Sequence, residues 1–228
     1  MGFDDALRLT EILLAFALIQ HSIEHVFSAK NERYLFVVRI FLSVLMALGV
    51  WTGWVCAALV ILSLVILKHF QGPYNGGSDR MGLLVLWCVA FVHWMPTLQL
   101  KEYIFGYLAV QLLLSYFISG WVKIVNPDWR SGRALQDVFQ FSTYPASEQL
   151  RSIANHPWLL FCASWSVMIF ELSFPLALIT QATLIIGLMI AALFHFANAC
   201  LFGLNRFFWI WLTAYPSLLW LHTRIFGM

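Results

Sequence analysis

YIFGYLAVQLLLSYFISGWVKIVNPDWRSGRAL, residues 103–135, stays apolar through most of its length, reaches Lys123 and then turns abruptly polar. A bilayer's hydrocarbon core is about 30 Å thick, so a spanning helix needs roughly 20 mostly apolar residues, and 103–124 supplies such a run. Comparable runs lie near 8–28, 34–50, 52–68, 82–98, 158–180, 182–203 and 206–225. Together they predict an all-α, polytopic integral membrane bundle of about eight transmembrane helices. Composition agrees: 61% of the 228 residues are hydrophobic and 11% charged, with 20 Phe and 11 Trp, and the mean hydropathy is +0.81. Such a chain takes the lipid bilayer as its main solvent. A net charge of only +2 provides no basic field of the kind nucleic acid requires, so nucleic acid is excluded as a partner.

Polar punctuation divides the runs at AKNER (29–33), KHFQGPYNGGSDRM (68–81), PTLQLKE (96–102) and the long segment from Asn126 to Pro157. Gly49 and Gly53 are spaced as in a helix-packing motif, but one helix over 34–68 would overshoot a bilayer, so a tight hairpin turn is expected there. Inside 126–157, RALQDVFQF and SEQLRSIA place apolar residues at helical intervals among charges, which predicts short interfacial or bundle-capping helices. Asp4 and Asp5 stand where a secretory signal would carry positive charge, so the first helix is expected to be retained. The expected organisation is a single transmembrane domain over 1–228 with no extramembrane domain. Cys56, Cys88, Cys162 and Cys200 each lie inside an apolar run with no C-x-x-C pair, as buried structural thiols do.

Under eight spans, Lys30, Arg33, Lys68, Arg80, Lys123, Arg130, Arg133, Arg151 and Arg206 fall on one side, and Arg8, Lys101 and Arg224 on the other. The positive-inside rule then puts the charged loops in the cytoplasm and both termini outside.

Ionisable side chains at membrane depth are costly and mark candidate sites: His21, Glu24, His25, Arg39, His93, Lys123, Glu171 and His195. His21, Glu24 and His25 share one helix face and spell H-x-x-E-H, a zinc-peptidase string. Such a peptidase needs a third protein ligand and an aqueous cleft, and no distal partner is identifiable, so a hydrogen-bonded cluster is the preferred reading and no metal is expected. Pro175 stands four residues after Glu171 and removes a helical hydrogen bond, which predicts a kink. Glu171 itself reads either as a site residue or as a structural partner of an arginine such as Arg39. His195 and Asn198 sit three residues apart, on neighbouring positions of one face. Lys123, at the junction of helix and polar loop, is a headgroup anchor by its position alone.

GWVKIVNPDWRSGRAL, FELSFPLAL and LFHFANACLFGLN, in that order, resemble the horizontally transferred transmembrane (HTTM) domain. This is the membrane part of vitamin K-dependent gamma-carboxylase and its bacterial relatives, and the likeness is best over 74–216. It implies a membrane enzyme, placed in a bacterial inner membrane, in which a lysine near Lys123 acts as base toward a quinone-type cofactor, a vitamin K-like hydroquinone. A dry pocket favours the neutral amine such a role needs. On this resemblance Lys123, His195 and Asn75 are the candidate catalytic residues, and Asn198, Trp129 and Glu171 the candidate cofactor-binding ones. The position of the family's functional histidine is Gly77 here, which leaves Asn75 alone in that connector. The family's orientation is also the reverse of the charge count.

Two functions follow. One is a small membrane enzyme linked to a lipophilic quinol, without the carboxylase's substrate-binding domain. The other is a non-catalytic accessory or maturation subunit whose partner protein supplies an extramembrane domain. Loss of the histidine favours the second, and retention of Lys123 and His195 favours the first.

Overall fold

The computed structural model describes residues 1–28, 32–69, 77–142 and 147–227. The described chain is all-α. In order it forms α1 (Phe3–Ser28), α2 (Arg33–Leu48), α3 (Thr52–His69), α4 (Gly77–Trp94), α5 (Leu98–Val125), α6 (Pro127–Arg130), α7 (Arg133–Phe141), a 3₁₀ segment (Glu148–Asn155), α8 (Pro157–Ser173), a second 3₁₀ segment (Phe174–Ile179), α9 (Gln181–Phe202), α10 (Asn205–Leu212) and α11 (Tyr215–Phe226). Among the described residues, four helices are long and apolar enough to cross a membrane: Phe3–Phe27, Leu98–Val125, Pro157–Ile179 and Gln181–Phe202.

Local chemistry sets the boundaries. α2 stops because Gly49 takes the left-handed conformation (φ 77°) and its N–H bonds back to Leu45 and Met46, a geometry that glycine adopts at no steric cost. The chain turns at once into α3, so the hairpin expected at Gly49 is present. Pro96 ends the preceding run. Thr97 then accepts from Leu100 N at 3.4 Å, so α5 starts at Leu98, inside the stretch expected to be loop. Asn126 caps α6 by accepting from Asp128 N at 2.9 Å, with Pro127 in the first turn. Pro175 has no N–H to continue α8, and the chain tightens into the 3₁₀ segment, which is the form the expected kink takes. Thr180 and Thr183 cap α9 reciprocally.

The run expected to be one helix over 206–225 is two, α10 and α11. The helix breaks at Thr213 and Ala214: Pro216 has no N–H to carry the ladder of α10 onward and sits in the first turn of α11, where none is needed.

The chain divides into two compact units, 1–110 with 209–228, and 111–208. The first has a core of large side chains including Leu14, Met46, Leu59, Leu86 and Leu108. In it Phe3 meets Phe105 and Trp220 edge-on at 5.6 and 5.5 Å. The second buries Leu112, Tyr116, Leu160, Met168, Phe174 and Ala191. Here α7 forms over the residues whose apolar spacing predicts it, and Phe139 packs with Ala154 and Leu160. The other flank of α9 leaves Ile186, Met189, Ile190 and Leu193 exposed, an apolar face suited to lipid.

Candidate functional site

In the second unit, α5 presents Tyr116, Ser119, Gly120 and Lys123 at offsets of three, four and seven residues, so they form one stripe along the helix. α8 meets that stripe closely. A Cβ on Gly120 would lie 2.8 Å from Leu172 N and 3.0 Å from Glu171 Cβ, so only glycine permits this approach. The contact sets Glu171 opposite Lys123.

The Lys123 ammonium group donates to Glu171 Oε1 at 2.7 Å, to Glu171 Oε2 at 2.6 Å and to Ser119 Oγ at 2.6 Å. Ser119 in turn donates to Glu171 Oε1 at 3.1 Å. The three groups close a ring in which every donor of the ammonium has an acceptor. The pair is buried: side-chain exposure is 15% for Lys123 and 3% for Glu171. Lys123 therefore does not reach outward as a headgroup anchor. It turns inward because a carboxylate, one turn's serine and an aromatic face await it there.

Trp129 supplies that face. Its ring centroid lies 5.3 Å from Lys123 Nζ, within cation–π range. Two hydrogen bonds hold α6 in place against α8: Ser164 Oγ donates to Trp129 O at 2.5 Å and Trp165 Nε1 to Arg130 O at 3.0 Å. Gly132 (φ 81°) permits the same close passage, since a Cβ there would fall 2.8 Å from Phe161 Cα.

Along the same stripe, Tyr116 Oη lies 2.7 Å from His195 Nε2, and both residues are fully buried. Phe174 and Phe170 pack on Tyr116 at 4.1 and 5.8 Å, and Phe194 packs on His195 at 5.1 Å. Asn198 stands one turn beyond His195, where its main-chain carbonyl accepts from Gly203 N–H and closes α9.

Of the candidate residues, Lys123, Glu171 and Trp129 come together on α5, α8 and α6, and His195 joins the same stripe through Tyr116. Asn75 lies outside the described residues. Glu171 takes Lys123 as its ion-pair partner, and not an arginine such as Arg39, which was one of the two readings the sequence left open. Arg39 lies in the first unit and donates to Ser22 Oγ at 2.6 Å, with His21 Nδ1 at 2.6 Å and the Phe36 ring below it. His25 stacks on the same Phe36 at 4.8 Å and bonds the His21 carbonyl at 3.0 Å, so both histidines of the H-x-x-E-H string join this cluster, and Glu24 accepts from Gln20 Nε2. Among the described residues no group of three or more His, Cys, Asp or Glu is placed to hold a metal ion.

Sequence reasoning passed over Tyr116, Ser119 and Gly120, though their spacing ahead of Lys123 is visible in SYFISGWVK. It also passed over Glu11. That residue, 4% exposed at its side chain, receives Arg8 Nη1 at 2.7 Å and lies 2.6 Å from His93 Nε2. Arg8 also donates to the Met46 and Ala47 carbonyls, where a cation suits the end of α2.

The HTTM domain family model matches residues 93–222, more than half of the chain. The matched range contains Lys123, Trp129, Glu171, His195 and Asn198. No curated protein and no solved structure is significantly similar to the chain.

Proposed function

This chain belongs to the HTTM domain family, and on that premise we propose that it is a small integral membrane enzyme acting with a lipid-soluble hydroquinone, with Lys123 as the base. The observation that carries the proposal is the buried Lys123–Glu171 pair, because ionisable groups at membrane depth are costly and concentrate at functional sites.

The residues around the pair suit such a ligand by their chemistry. Trp129 offers a flat apolar face beside the cation. Phe170 and Phe174 add aromatic surface, and Tyr116 and His195 provide hydrogen-bonding groups within it. A bound hydroquinone would bring a weakly acidic hydroxyl and a redox-active ring. Lys123 would hold or accept the proton at Nζ, Glu171 would orient Lys123, and His195 would polarise the ligand, with Asn198, and Asn75 from its connector, in support.

The helix lengths are compatible with about eight crossings if the shorter helices also span. α2, with 16 residues, rises about 24 Å at 1.5 Å per residue. The bacterial relatives that the family resemblance brings with it favour an inner-membrane location. The accessory-subunit reading keeps one observation of its own: every donor of Lys123 is already engaged within the protein, as in an ion pair that only joins helices.

The test is Lys123→Arg. Arginine keeps the charge opposite Glu171 but cannot become a neutral amine at working pH. The enzyme reading expects a folded protein without activity. A fully functional Lys123→Arg protein would leave the accessory role standing.

A further inference from the structure

We propose that Glu171 is the proton acceptor for Lys123, so that the two side chains work as one proton-transfer unit toward a weakly acidic hydroxyl. The inference rests on the reading of Lys123 as a base and adds a second working residue to it.

The geometry imposes the step. Lys123 has three ammonium donors, and Glu171 takes two of them while Ser119 takes the third. A base at Nζ must first lose a proton, and the carboxylate oxygens at 2.6 and 2.7 Å are the acceptors already in line. Water is held off, since the Glu171 side chain is 3% exposed. Transfer converts ammonium and carboxylate into amine and carboxylic acid, with no change in total charge.

The amine then takes the proton of the substrate hydroxyl. The O–H bond breaks, an N–H bond forms, and the electron pair stays on the substrate oxygen. Lys123 is again an ammonium, now beside the substrate anion, and Glu171 carries the net proton. No oxidant or reductant enters the step. Ser119 contacts both partners and holds Lys123 Nζ in reach while the proton moves. A purely structural ion pair has no such protonated state, which gives the proposal a readout apart from turnover.

The experiment is infrared difference spectroscopy of the purified full chain on addition of menadiol, a tail-less naphthohydroquinone, with ultraviolet absorption reporting the deprotonated ligand. Expected is a new protonated-carboxyl C=O band that accompanies the menadiol anion and disappears in Glu171→Gln, with the bound anion falling by about a hundredfold. Glu171→Asp, which keeps a carboxyl group, should retain a shifted band and guards against a folding defect in the glutamine variant. Menadiol anion formed without the carboxyl band, or unchanged in Glu171→Gln, would overturn the role of Glu171 while leaving Lys123 as base. Absence of any bound menadiol, with wild type and Lys123→Arg alike, would overturn both.

Discussion

Glu171 holds Lys123 with both carboxylate oxygens, at 2.6 and 2.7 Å, from a position that α5 can approach only because residue 120 is glycine. The relationship joins a packing constraint to a charge constraint. The missing Cβ brings two helices together, and the ion pair then satisfies the two groups that the contact has buried.

Breaking that pair from one side leaves an uncompensated buried charge, at a cost of about 3–5 kcal/mol. Lys123→Ala is therefore expected to be markedly destabilised in detergent. Lys123→Met combined with Glu171→Leu should regain most of the loss, since apolar residues of similar size fill the same space. Thermal unfolding of the two variants decides the point: equal stability of the single and double variants would contradict the pairing.

Gly120→Ala puts a methyl group 2.8 Å from Leu172 N. That atom is backbone and has little room to give, so α5 and α8 must move apart, at a cost of about 1–3 kcal/mol. The separation should also lengthen the Lys123–Glu171 contact. A disulfide engineered across the α5–α8 contact in wild type is expected to form more slowly in Gly120→Ala. Unchanged stability and crosslinking would show that the approach is looser than the geometry implies.

Arg151 caps the C-terminal end of α7. It donates to Gln140 O at 2.7 Å and Ser142 O at 3.1 Å and bonds Glu148 Oε2 at 2.5 Å. Its hydrogen bond and charge hold the exposed Glu148 carboxyl below its ordinary value. A lowered folded value means that the contact is intact at neutral pH. Its contribution is lost only as the pH falls through that lowered value, beneath the ordinary glutamate range of about 4.3. Carbon-labelled NMR of Glu148 should give a low midpoint that returns to the ordinary range in Arg151→Gln. The same midpoint in both proteins would refute the contact.

The helical class was legible because bilayer thickness writes itself into run length, and α7 was legible because an amphipathic period needs no partner to be seen. Where one run contained a hidden break, hydropathy was blind: Pro216 divides 206–225 without changing its apolar character. The candidate site was legible by residue type and not by pairing. Lys123, Glu171, Trp129 and His195 stand out as polar or aromatic positions at helix ends or in apolar surroundings. Which of them meet depends on Gly120 and on the tightened chain at Pro175, and these act through close approach in three dimensions. Arg39 was as plausible a partner for Glu171 by charge alone. Ser119 and Tyr116 went unnoticed because neutral polar residues are ordinary in membrane helices, and only their common stripe with Lys123 gives them meaning.

The most direct test of a hydroquinone site at Lys123 is mass spectrometry of the lipids and quinones carried by the gently purified protein, beside the Lys123→Met, Glu171→Leu double variant. The account predicts a quinone near one per chain in wild type and its loss from the folded double variant. Bulk phospholipid alone in both proteins would contradict it.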